Sequence, residues 1–136
     1  MRLDEYLRRL LMELHQTLTT PTQQISLSSE LAPLVLEAKA AFNFGLLVNE
    51  LITNTLKHAF RGRSSGHLHV ELSGTASRFR LVVSDDGVGM PSAAVLQANS
   101  ASLGTKLVKT LARQLKAGLT VEPNLPTGTR VIIVQQ

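Results

Sequence analysis

Apolar residues recur along this chain in two rhythms, a helical one and an alternating one. Leu3, Leu7, Leu10, Leu11, Leu14 and Leu18 fall at helical spacing and predict an amphipathic helix over 3–18, closed by Thr19-Thr20-Pro21. Ile25 and Leu27 alternate with Gln24, Ser26 and Ser28 as a short strand does, and Leu34-Val35-Leu36 after Pro33 suggests another. A second helix is predicted from about 40 to 59, then a Gly/Ser/Arg turn over 61–66. Leu68, Val70 and Leu72 point one way in a strand over 67–72, residues 74–77 turn the chain, and Phe79, Leu81 and Val83 alternate in the strand that follows. Periodicity lapses over 87–102, and a loop of that length in a compact domain commonly serves as a lid or binding loop. From Gly104 the helical period returns, with Leu107, Val108, Leu111 and Leu115 on one face, Lys106, Lys109, Arg113 and Lys116 on the other, and Gly118 as the expected C-terminal cap. Two strands over 119–122 and 129–134 close the chain. Hairpins imply antiparallel pairing, and the helices must then cover one face of the sheet, giving an α/β two-layer sandwich.

Composition narrows the classes. With 136 residues, 43% apolar and 18% charged, the chain fits one globular domain with one core. No apolar run approaches the roughly 20 residues of a membrane-spanning helix, and Met1 leads directly into a charged amphipathic segment rather than a signal peptide. Cysteine is absent, which excludes disulfides and thiolate metal sites and makes a cytoplasmic protein the expectation. The formal charge of +4 is spread along the sequence, and one Tyr with no Trp leaves little for base stacking, so nucleic acid is not the expected partner. A mildly basic pocket would suit a nucleotide.

The candidate chemistry lies in four places. In the second predicted helix, Glu50 and Asn54 are four apart and Lys57 and His58 follow one turn later, beside the apolar Leu47, Val48, Leu51, Ile52 and Leu56. A carboxylate for base work, an amide oxygen for a divalent metal and an ammonium for phosphate thus share one face; a solvated helix face would look the same. Asp85-Asp86-Gly87-Val88-Gly89-Met90-Pro91 puts an aspartate at a strand end before two spaced glycines. The carboxylate can accept from an exocyclic amine, and glycines let a flat ring approach the backbone; an ordinary Asp-Gly turn is the plain alternative. Ser102-Leu103-Gly104-Thr105 opens a basic helix whose free N–H groups favour phosphate, and Gly128-Thr129-Arg130 precedes the last strand.

In this order the four segments resemble the ATP-binding domain of the GHKL superfamily (gyrase, heat-shock chaperone, histidine kinase, MutL), and most of all the catalytic domain of HisKA_2/HWE-type bacterial sensor histidine kinases. Residues 48–60 resemble that group's N box and 84–91 its G1 box. Ser102-Leu103-Gly104 with Leu107-Val108 resembles its G2 segment, and Gly128-Thr129-Arg130 its final glycine motif. Leu3-Asp4-Glu5-Tyr6-Leu7 resembles the segment that enters the domain.

The resemblance implies a Bergerat fold, about three helices on a mixed, mostly antiparallel sheet, as one domain over 1–136 with an ATP lid at about 90–103. It implies ATP and Mg²⁺ as ligands. Glu50 would act as base or orient the acceptor; Asn54 would ligate the Mg²⁺ that bridges the phosphates; Lys57 would contact phosphate with His58 nearby. Asp85 would accept from the adenine amine, Gly87, Gly89 and Met90 would line the adenine, Leu103 and Gly104 would meet the phosphates, and Thr129 would close the adenine end. The family often has a glycine where Ser102 stands and an apolar residue at Thr105, departures that bear on lid closure and phosphate affinity, and a Gly-Gly pair at Lys116-Ala117-Gly118, a small change.

Nothing resembles the helical dimerisation domain that carries the acceptor histidine; His15 reads as a surface residue, and His67 and His69 as solvent-facing strand positions. The chain is therefore expected to be a catalytic domain separated from its phosphoacceptor domain, acting in cis or in trans, with a response regulator downstream and no membrane contact of its own. Rival readings are a GHKL ATPase, an anti-sigma-type serine kinase, or a partner-binding module that has lost catalysis.

Overall fold

Helix α1 (Leu3–Leu18), strand β1 (Gln24–Leu31), helix α2 (Ala38–His58), strands β2 (Ser65–Thr75) and β3 (Arg78–Asp85), helix α3 (Leu103–Gln114) and strands β4 (Ala117–Pro123) and β5 (Thr129–Gln135) follow one another along the chain. The computed structural model describes residues 1–20, 22–58, 60, 64–87, 103–124 and 127–135. The strands form one sheet in the order β1-β2-β3-β5-β4. β1 and β2 run parallel, a pairing that needs a crossover, and α2 supplies it. The other three pairings are antiparallel. The sheet is thus mixed and mostly antiparallel, with three helices against it among the described residues, the expected two-layer sandwich.

Strand alternation decides which face the helices cover. Leu68, Val70 and Leu72 of β2, Phe79, Leu81 and Val83 of β3, and Val131 and Ile133 of β5 are buried on one face. Leu3, Leu7 and Leu11 of α1, Phe44, Leu47, Val48, Leu51 and Ile52 of α2, and Val108 and Leu111 of α3 meet them in a single core. Each such side chain contributes about 1.5–3 kcal/mol on leaving water. Phe44 and Phe79 pin α2 to β3, their rings edge to face with centroids 5.0 Å apart. The opposite face is mixed: Ser26 and Ser28 of β1 hydrogen-bond His67 and His69 of β2, Arg130 pairs with Glu122 at 2.9 Å, and Val82 and Ile132 lie side by side between β3 and β5.

Three local expectations are corrected. Leu34-Val35-Leu36 is not a strand of the sheet. It bonds to the start of the chain instead, through an Arg2–Val35 bridge and bonds from Leu3 N–H to the Leu34 carbonyl and from Leu36 N–H to the Met1 carbonyl. Leu34 is nonetheless buried in the core, while Val35 is exposed. Helix α3 ends before Gly118: Lys116 takes the left-handed conformation (φ 56°), its N–H reaching the Arg113 carbonyl, and Gly118 pairs within β4. His15 is half-buried, its Nε2 bonded to the Ile25 carbonyl, so it ties α1 to β1 rather than lying free. His67 is exposed as expected and His69 half-buried. Among the described residues no helix is long and apolar enough to cross a membrane.

Candidate functional site

Asp85 sits where the strand period puts it. It continues the phase of Phe79, Leu81 and Val83, so its carboxylate lies on the covered face and is 5% exposed, whereas Asp86 points away and is exposed. Leu68 lies opposite Asp85 in β2. On the other side Ser84 pairs with Arg130, which leaves Thr129, also buried at 5%, as the next neighbour. A buried carboxylate must be hydrogen-bonded. Its Oδ1 accepts from the Gly87 N–H at 2.9 Å, and the Thr129 N–H also donates to it. Burial pushes the Asp85 carboxyl above the usual aspartate value; the Gly87 and Thr129 N–H groups pull it down, and the Asp86 charge adds to the rise. A buried carboxylate on the covered face at the end of the central strand is placed to accept from an amine donor on a flat ligand.

The backbone around it is tied from two directions. In β2, the His67 N–H donates to Asp86 Oδ1 at 2.7 Å, and the Asp86 N–H bonds the His67 carbonyl at 3.2 Å. From the β4–β5 turn, Asn124 Nδ2 donates to the Asp85 carbonyl at 2.8 Å and Thr127 Oγ1 to the Asp86 carbonyl at 3.1 Å. Gly128, next after Thr127, has φ 115°, and a Cβ there would overlap the Asp85 carbonyl oxygen. Glycine is required twice over, by conformation and by contact.

Glu50 and Asn54 are half-buried and Lys57 exposed on one face of α2. The C-terminal end of this helix lies at the same end of the sheet as Asp85. Phe60, just past it, is buried against Ile25, with Leu56 alongside, and lies over Gly66, where a Cβ would strike the ring. Ile25 and Gly66 are paired near the starts of β1 and β2, the sheet end at which β3 finishes. Helix α3 packs on α2 and β4 and ends beside the start of β4, at the opposite sheet end, so its N-terminus is directed back to the Asp85 end. The oxygen donors of Glu50 and Asn54 suit Mg²⁺. Among the described residues there is no group of three His, Cys, Asp or Glu side chains to hold a metal without phosphates.

The structure therefore brings Asp85, Gly87 and Thr129 together and sets Glu50, Asn54 and Lys57 on one helix face at the same end of the sheet. Gly89, Met90 and the expected lid up to residue 102 lie outside the described residues. His58, Leu103 and Gly104 are described as helical backbone, Leu103 as the first residue of α3. Sequence reasoning passed over Asn124 and Thr127, seen only as part of a turn. Polar turn residues seldom carry a readable signal, and their partners here are carbonyls 39 and 41 positions away.

A buried acid at the end of a central strand, a helix face bearing Glu50 and Asn54, and helices on one face of a mixed sheet are the arrangement expected of a nucleotide-binding domain. The sequence profile of the histidine kinase-, DNA gyrase B- and HSP90-like ATPases matches residues 42–136, and the chain belongs to this family. It is 38% identical over 97 residues to blue-light-activated histidine kinase 2 of Erythrobacter litoralis, covering 71% of this chain and 27% of that protein. It is 31% identical over 101 residues to the sensor histidine kinase PdtaS of Mycobacterium tuberculosis, covering 73% of this chain and 20% of that one. The histidine kinase domain of the Erythrobacter litoralis EL346 blue-light-activated kinase superposes with a TM-score of 0.87 at 31% identity, over 99% of this chain and 65% of that structure. The chain thus spans only about a quarter of the length of these named relatives or less.

Proposed function

We propose that the chain is the ATP-binding catalytic domain of a two-component sensor histidine kinase, which binds Mg·ATP and passes the γ-phosphoryl group to a histidine on a separate domain or partner. The observation that carries this reading is the buried Asp85 carboxylate, held by the Gly87 and Thr129 N–H groups at the strand end where adenine would lie. The two named relatives, both called histidine kinases, support it.

Asp85 accepts from the adenine amine, and Gly87, Gly89 and Met90 admit the ring. Thr129 closes that end. Lys57, with His58 beside it, neutralises phosphate charge, and the α3 N-terminus at Leu103 and Gly104 offers N–H groups to the phosphates. Asn54 is the protein ligand for Mg²⁺, which when bound neutralises phosphate charge. Glu50 takes the proton of the acceptor imidazole as its nitrogen bonds to the γ-phosphorus and the bond to the ADP oxygen breaks. Catalysis then rests on positioning and charge neutralisation. The domain spans 1–136, works in the cytoplasm, and needs a histidine-bearing dimerisation domain and, downstream, a response regulator.

The test is incubation with γ-labelled ATP and a histidine-bearing dimerisation domain supplied in trans. Acid-labile, alkali-stable phosphate on that domain is the expected product. Acid-stable phosphoserine would point to a serine kinase instead, and release of free phosphate alone to an ATPase.

A further inference from the structure

Most of the polar groups around Asp85 belong to the backbone, but one part-buried side chain reaches in from outside the recognised motifs. Asn124, at the end of β4, donates from Nδ2 to the Asp85 carbonyl at 2.8 Å. Its own N–H bonds the Gly128 carbonyl at 3.1 Å, so the side chain is held across a closed turn rather than swinging freely. Thr127 adds a parallel bond to the Asp86 carbonyl. These bonds reach the backbone of the adenine acceptor, not its carboxylate. The β3–β5 ladder runs only to the Ser84–Arg130 pair, so the Asp85 carbonyl is fixed by this side chain where the ladder stops. Gly128 lets the turn close to this distance, since any side chain there would collide with the same carbonyl.

We infer that Asn124, assisted by Thr127, is a positioning residue for adenine recognition: by holding the Asp85 and Asp86 carbonyls it aims the Asp85 carboxylate at the exocyclic amine. The inference rests on the proposed adenine role of Asp85. A hydrogen bond demands alignment within a few tens of degrees and a few tenths of an ångström. A carboxylate on an untethered strand end samples poses that miss the amine, whereas the phosphate contacts, made by α2 and α3, do not depend on the turn. Asn124 therefore governs how well the base is read and leaves the triphosphate contacts unaffected.

The test compares ATP with purine riboside triphosphate, which lacks only the exocyclic amine, by calorimetry on the whole chain with Mg²⁺. The ratio of their dissociation constants isolates the amine contact. In the unaltered chain ATP should bind more tightly; Asn124→Ala should bring the ratio down about fivefold, the worth of one well-made hydrogen bond. Thr127→Val, at an exposed turn position where folding is not at risk, should lower it by a smaller factor, and Thr127→Ser should restore it. A ratio that Asn124→Ala and Thr127→Val leave unchanged, whether or not both ligands weaken together, overturns the inference and gives these residues a structural role only. A ratio near one in the unaltered chain overturns the adenine reading of Asp85 itself, and this inference falls with it.

Discussion

Asp85 and Glu50 are both acids in one candidate site, yet the chain presents them by different means. Asp85 is 5% exposed, in phase with a core-facing strand, and its surroundings are fixed by the Gly87 and Thr129 N–H groups and by Asn124 and Thr127 from the neighbouring turn. Glu50, Asn54 and Lys57 stand on the outer half of a helix whose other half fills the core. The Asp85 end is held by backbone and buried; the α2 face is a row of half-buried and exposed side chains. This division suits its two proposed tasks. Reading a flat ring calls for fixed, desolvated acceptors, whereas phosphoryl transfer calls for groups that can follow the phosphate to a partner's histidine.

Changes at the phosphate end should alter chemistry without altering the fold. Glu50→Gln should cut phosphotransfer about a hundredfold or more, the usual worth of a general base, with ATP affinity within about twofold. Loss of binding by a folded variant would remove Glu50 from the base role.

Changes at the base end should do the reverse and disturb binding through structure. Gly128→Ala should cost about 3 kcal/mol or more, from the positive φ and the overlap with the Asp85 carbonyl. Urea unfolding would measure it; a midpoint within error of the parent would mean the turn repacks freely.

Asp85→Asn separates stability from function within that end. It removes a buried charge, so thermal unfolding should stay level or rise by up to about 1 kcal/mol, while ATP affinity falls at least tenfold with the loss of a charged hydrogen bond. A lowered melting temperature would mean the ionised carboxylate is a net structural asset.

The smallest expected effect is on pH dependence. Because the folded-state pKa of Asp85 is raised, the folded state holds its proton more tightly than the unfolded chain does. Its ionisation therefore costs stability above the raised pKa, and that cost is relieved as pH falls from the raised pKa to the ordinary aspartate value, below which it is gone. ATP binding follows the opposite course, weakening on acidification from a higher pH than an ordinary aspartate would give. Calorimetry from pH 7 downward would show this, and Asp85→Asn should flatten the profile. The Arg2 guanidinium, bonded twice to Asp4 at 2.9 Å, holds that carboxyl below its usual range, so the Asp4 contribution is lost as pH falls.

The same division explains what could be read from the sequence. Alternation of Phe79, Leu81 and Val83 put Asp85 at a strand end, and helical spacing gathered Glu50, Asn54 and Lys57, because both periods are local; the burial of the Asp85 carboxylate emerges only in the fold. The helix order and the hairpins followed for the same reason. What escaped was non-local. Leu34-Val35-Leu36 is an apolar run that suggests a strand, but its partner is the chain start, not the sheet. Helix α3 ends at Gln114 and Lys116, just past it, takes the conformation usually left to glycine, so Gly118 misled. Asn124 and Thr127 act on carbonyls that only the folded sheet brings near.

The central claim is that this chain binds Mg·ATP through Asp85. The most direct measurement is calorimetric titration of the purified chain with ATP, with and without Mg²⁺, alongside Asp85→Asn. The account predicts binding that requires Mg²⁺ and is lost in the variant while the fold persists. Equal binding by both proteins, or no binding by a folded parent chain, would contradict it.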